Sequence, residues 1–74
     1  MQVTVKLYAA LRWKLFEEEV REYPAGTTVE ALAADLGISP REIGIKLVNG
    51  RHCPLDQVLE DGDTVALMPP IGGG

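Results

Sequence analysis

Pro24-Ala25-Gly26-Thr27-Thr28-Val29-Glu30-Ala31-Leu32-Ala33-Ala34-Asp35-Leu36-Gly37 is the stretch on which the fold turns. Pro24 to Gly26 break the preceding segment. Thr27 or Thr28 is placed to cap a helix by accepting an N–H from its first turn. Val29, Leu32, Ala33 and Leu36 then recur at i, i+3, i+4 and i+7, a single apolar stripe at helical spacing, and Gly37 supplies a stop. The spacing predicts a helix over about residues 28–36.

The sequence on either side of this helix reads as strands. Val3, Val5 and Leu7 alternate with Thr4 and Lys6, the period of two of a strand with one buried face. Residues 9 to 16 carry no clean period and read as a loop, with Trp13 and Phe16 expected to close one end of the core. Residues 17 to 23 alternate loosely around Val20 and Tyr23 as a second strand. Beyond the helix, Ser39-Pro40-Arg41-Glu42 suggests a short helical turn. Ile45, Leu47 and Val48 form a strand that ends at Asn49-Gly50, a dipeptide suited to a tight hairpin because both positions tolerate positive φ. Arg51 to Cys53 should pair back until Pro54 removes a donor. Glu60-Asp61-Gly62-Asp63 turns the chain into a last strand, Thr64 to Met68, with Val65 and Leu67 inward and Ala66 and Met68 outward. The order ββαβββ predicts an α+β domain over residues 1–68, a mixed sheet of four to five strands with one helix on one face. Its other face is left open.

Composition narrows the functional classes. A chain of 74 residues holds one core, and 46% hydrophobic with 24% charged residues is ordinary globular usage. Seven basic against eleven acidic residues give a net charge of −4, which disfavours nucleic acid and favours partners with basic surfaces. One cysteine forms no internal disulfide, so the expected location is cytoplasmic. The longest apolar run, Leu7-Tyr8-Ala9-Ala10-Leu11, falls far short of the ~20 residues that span a bilayer, and no membrane or export segment is expected.

After the last strand the chain runs Pro69-Pro70-Ile71-Gly72-Gly73-Gly74. Prolines lack the ladder N–H and favour an extended chain, so residues 69–74 are expected to leave the sheet stiffly and become flexible at the glycines. Six extended residues reach roughly 20 Å. A glycine end threads a channel too narrow for side chains, and the chemically useful group is then the Gly74 α-carboxylate.

The ending Asp61-Gly62-Asp63-Thr64-Val65-Ala66-Leu67-Met68-Pro69-Pro70-Ile71-Gly72-Gly73-Gly74 resembles that of the molybdopterin synthase small subunits. The resemblance extends to the first strand followed by Ala9-Ala10-Leu11-Arg12, to Thr28-Val29-Glu30-Ala31-Leu32 at the helix start, and to Val48-Asn49-Gly50. These are features of the ubiquitin-like β-grasp sulfur carriers of the MoaD/ThiS family. Gly72 departs from the polar residue frequent in the molybdopterin branch, and a Gly-Gly-Gly ending also occurs in the thiamine-thiazole carriers, so both pathways stay open.

The resemblance implies a sulfur carrier, not an enzyme. Gly74 would be adenylated by a ubiquitin-activating-like enzyme using ATP, then converted by a sulfur donor to a thiocarboxylate for molybdopterin biosynthesis. Pro69, Pro70, Ile71, Gly72 and Gly73 would thread the partner's active site. The implied partners are that adenylating enzyme, the sulfur donor, and a molybdopterin synthase large subunit or a thiazole synthase. A protein modifier conjugated through Gly74 is the alternative from another class. Strand parity sets Tyr8, Val48, Ala66 and Met68 on the open sheet face, with His52 beside them. Tyr8, Val48, His52 and Met68 are the expected docking residues. One His and one Cys fall short of a zinc set, and no metal or tightly bound cofactor is expected. Cys53 reads as a small buried hydrophobe and Glu17-Glu18-Glu19 as a solvated face.

Overall fold

A computed structural model describes residues 1–70, the Lys14 side chain excepted. The strands are β1 (Gln2–Leu7), β2 (Glu18–Glu22), β3 (Ile45–Val48), β4 (Arg51–His52) and β5 (Thr64–Met68). Two helices, α1 (Ala10–Lys14) and α2 (Val29–Asp35), and a 3-10 turn at Pro40–Glu42 complete the order. The sheet runs β2-β1-β5-β3-β4. Its first and last strands lie side by side and parallel, Val5 opposite Val65 and Leu7 opposite Leu67. The other three pairings are antiparallel.

The helix stripe meets the alternation of β1 and β5. Val3, Val5, Leu7, Val65 and Leu67 are buried against Val29, Leu32, Ala33 and Leu36, and Leu11, Ile38 and Leu59 close the cluster. Of the two threonines, Thr28 is the N-cap, its Oγ1 accepting from the Ala31 N–H at 3.1 Å. Such a cap is worth about 1 kcal/mol. The Val29 and Glu30 N–H groups donate to the Gln57 and Leu55 carbonyls at 3.0 and 2.9 Å. The loop before β5 therefore satisfies the donors that a helix start leaves over. Asn49 and Gly50 adopt φ of 52° and 80°, the left-handed pair of a tight hairpin.

The loop expected over residues 9–16 contains the short helix α1, so the domain has two helices where the sequence predicted one. A single turn carries one core residue, Leu11, and one residue makes no period. Trp13, expected to close the core, is 79% exposed, while Phe16 packs partly against the cluster. Ala9 before α1 has φ 51° and ψ −132°, a backbone conformation that disfavours a side chain. Among the described residues, no helix is long and apolar enough to cross a membrane.

Candidate functional site

The site begins where β5 ends. The Gly44 N–H donates to the Met68 carbonyl at 2.7 Å, closing the β3–β5 ladder, and Pro69 and Pro70 follow without donors to extend it. The proline backbone then crosses Gly44 closely. A Cβ on residue 44 would lie 2.5 Å from the Pro70 Cα and 2.7 Å from both the Pro69 oxygen and the Pro70 nitrogen. Pro69 is half-buried there and Pro70 is exposed. Ile71, Gly72, Gly73 and Gly74 lie outside the described residues, so the expected threading segment and reactive carboxylate are outside them too.

Register decides which side chains surround this exit. Val5 and Leu7 are buried on the helix side, and their β5 partners Val65 and Leu67 share that face. Ala66, opposite Lys6, therefore lies on the open face, and Leu47 stands opposite it on β3. Ile45 is opposite Met68, and His52 is opposite Leu47. Tyr8 follows β1 with its N–H on the Leu67 carbonyl at 3.2 Å and is 40% exposed. Tyr8, His52 and Met68 thus fall on or beside the open face. Val48 does not. It stands opposite Val65 and packs against the core, because an even-numbered β3 residue shares the helix-side face with Lys46. Ile45 and Leu47 occupy the open-face positions in its place. The sequence held no signal that separated Leu47 from Val48, since three of the four residues of β3 are apolar.

Charged and thiol groups nearby are accounted for by local pairing. Lys6 and Arg12 line a groove of about 350 Å³ beside Tyr8 with Glu18 and Glu17, to which they pair at 3.9 and 3.5 Å. Its cations already face carboxylates. Cys53 is half-buried, with Sγ 3.8 Å from the Lys46 carbonyl. Burial pushes its thiol pKa up, with Lys46 opposing, so the thiolate a nucleophile requires is disfavoured. Among the described residues, no group of three or more His, Cys, Asp or Glu is placed to hold a metal ion.

Comparison with known proteins sets this arrangement in a family context. A sequence model of the ThiS family matches residues 5–74. A Pyrococcus furiosus structure described as molybdopterin converting factor, subunit 1, superposes with a TM-score of 0.77 at 29% identity, covering 96% of this chain and 99% of its own. SAMP1 of Haloferax volcanii, the small archaeal modifier protein 1, has a TM-score of 0.77 at 27% identity, with 100% of both chains covered. Subunit 1 in the complex of subunits 1 and 2 of the Helicobacter pylori molybdopterin-converting factor shares the fold, with a TM-score of 0.68 at 22% identity and 100% of both chains covered. The fold is the ubiquitin-like β-grasp.

Proposed function

Because the chain belongs to the ThiS family of ubiquitin-like sulfur carriers, we propose that it carries sulfur on its Gly74 carboxylate for molybdopterin biosynthesis, as a co-substrate of partner enzymes. The observation that carries this reading is the position of the exit. A central strand ends at Met68, beside an open face bearing Ile45, Leu47 and Tyr8, and passes straight into Pro69-Pro70. The 29% identity to a chain described as subunit 1 of a molybdopterin converting factor supports the pathway.

A carboxylate is a poor electrophile because its charge repels nucleophiles. Attack of a carboxylate oxygen on the α-phosphorus of ATP, in an adenylating ubiquitin-activating-like enzyme, forms a mixed anhydride and releases pyrophosphate. A donor sulfur at the sulfide level then attacks the acyl carbon, and AMP leaves with the electrons of the C–O bond. The product is a thiocarboxylate, nucleophilic through sulfur and tethered to a folded handle. Docking the handle first makes transfer effectively unimolecular, an advantage of up to about 7–11 kcal/mol in well-oriented systems. The partners of this cycle are the adenylating enzyme, the sulfur donor and a molybdopterin synthase large subunit, with the open face as the docking surface. Thiazole synthase takes the large subunit's place in the thiamine alternative.

Mass spectrometry tests the reading. Protein from cells with an intact sulfur-transfer system should contain a fraction about 16 Da heavier, with oxygen replaced by sulfur at Gly74. Recovery of unmodified carboxylate alone, even with the adenylating enzyme, ATP and donor supplied, removes the proposal. The likeness to SAMP1 at 27% identity favours a second reading, conjugation of Gly74 to lysine amines. That reading requires target lysines that carry the C-terminal peptide of this chain, residues 52–74 after tryptic cleavage at Arg51.

A further inference from the structure

Five glycines lie among the described residues, and four share one explanation. Gly26, Gly37, Gly50 and Gly62 have φ between 75° and 91°, with nothing within 4 Å of an added Cβ. They are glycines for their backbone conformation. Gly44 is the reverse case: its φ is not positive, so its backbone accepts any L-residue, but the space a side chain would fill is occupied. The occupant is main chain, the Pro70 Cα and nitrogen and the Pro69 oxygen, which cannot rotate aside as a side-chain end would.

We propose that Gly44 is the positioning residue for the start of the C-terminal tail: its bare backbone is the saddle over which Pro69 and Pro70 leave the sheet, and it sets the direction the chain takes at Pro70. The inference rests on the carrier reading for its functional consequence, though not for its geometry. Two features act together. The Gly44 N–H holds the Met68 carbonyl, fixing where the tail starts, and the missing Cβ lets Pro69 and Pro70 pass close over the backbone of residue 44.

Carbon atoms in ordinary contact sit about 3.5–4.0 Å apart, so a methyl group 2.5 Å from the Pro70 Cα displaces that backbone by roughly 1 Å. Proline fixes φ, so Pro69 and Pro70 have little freedom to absorb the shift near its origin. The displacement therefore re-aims the chain at Pro70, where the tail begins. A misplacement of about 1 Å caused by a change far from the chemistry can lower a rate by up to about 10²-fold.

The test compares wild type, Gly44→Ala and Gly44→Val. The readout is ATP–pyrophosphate exchange with the adenylating enzyme of the same organism, alongside thermal unfolding. Gly44→Ala should fold and keep its KM within about twofold, because the docking face is unchanged, while kcat falls about tenfold. Gly44→Val, whose larger side chain meets the same Pro69 and Pro70 main chain, should lower kcat further than Gly44→Ala. An unchanged kcat, a change confined to KM, or a Gly44→Ala chain that fails to fold each overturns the assignment. If wild type supports no exchange, the carrier reading fails and the geometry is judged by NMR alone. Cross-relaxation between the Gly44 and Pro70 α-protons, lost in Gly44→Ala, upholds the saddle; its absence in wild type refutes it.

Discussion

The Asn49 side chain joins the hairpin turn to the turn before β5. Its Nδ2 donates to Asp63 Oδ1 at 2.9 Å, and its Oδ1 accepts from the Thr64 N–H at 2.9 Å. Asp63 Oδ2 also accepts from the Glu60 N–H at 2.8 Å, and the Asp63 carbonyl takes the Thr4 N–H at 2.9 Å. One polar cluster thus sets the start of β5 against β3 and β1 together.

Replacing Asn49 separates its two roles. Asn49→Gly keeps the positive φ of 52° and loses the carboxamide, and should cost roughly 1 kcal/mol in urea unfolding. Asn49→Ala adds the left-handed penalty for a side chain and should cost roughly 2 kcal/mol. A glycine variant as stable as wild type would show that the side-chain bonds contribute nothing.

Ala9 gives a change of opposite sign. Its φ of 51° and ψ of −132° suit glycine, so Ala9→Gly should raise stability by about 1 kcal/mol through relief of strain. For a domain this size that is a rise of about 4–8 °C in Tm, read by calorimetry. A fall in Tm would mean that the greater freedom of glycine in the unfolded chain outweighs the strain.

Neighbouring residues of β3 should fail in different assays. Leu47→Asp, on the open face, should change unfolding stability by less than about 1 kcal/mol and weaken binding of the adenylating enzyme at least tenfold, about 1.4 kcal/mol. Val48→Asp turns a carboxylate toward the core and should lower stability by roughly 2 kcal/mol or more. Denaturation curves and titration calorimetry on both variants check the pair, and the opposite pattern would reverse the assignment of faces.

Tyr23 introduces a pH dependence on the alkaline side. Its hydroxyl donates to Asp35 Oδ2 at 3.1 Å, and burial, followed by this bond and the Asp35 charge, pushes its pKa up from 10.0 to about 12. The neutral phenol is the form the fold favours. Its contribution is therefore complete below pH 10.0 and is lost as pH rises through about 12. Tyr23→Phe should flatten stability across that window. Asp35→Asn should lower the Tyr23 pKa only part of the way, since burial remains, as read by phenolate absorbance in a Tyr8→Phe background. An Asp35→Asn protein with an unmoved Tyr23 titration would remove Asp35 as a cause.

Elements whose pattern repeats were legible in the sequence. The stripe Val29, Leu32, Ala33, Leu36 and the alternations Val3-Val5-Leu7 and Val65-Leu67 each contain several buried residues, and together they form most of the core. Helix α1 was not legible, because Leu11 alone gives it a core residue and Ala9 gives it no side-chain cap. The face of Val48 was hidden for a different reason. It follows from pairing with Val65, a relation between distant segments, and nothing local to Ile45-Lys46-Leu47-Val48 decides it. The close approach of Gly44 to Pro70 is likewise a product of register.

The parallel pairing of β1 with β5 has a consequence for biogenesis. A nascent chain halted on the ribosome before Thr64 lacks the strand that pairs with Thr4 to Leu7 and joins the two halves of the sheet. Such nonlocal pairing comes late and slowly. Prematurely terminated products would therefore remain open to proteolysis, and synthesis through the last strand becomes a quality check on every molecule that leaves the ribosome.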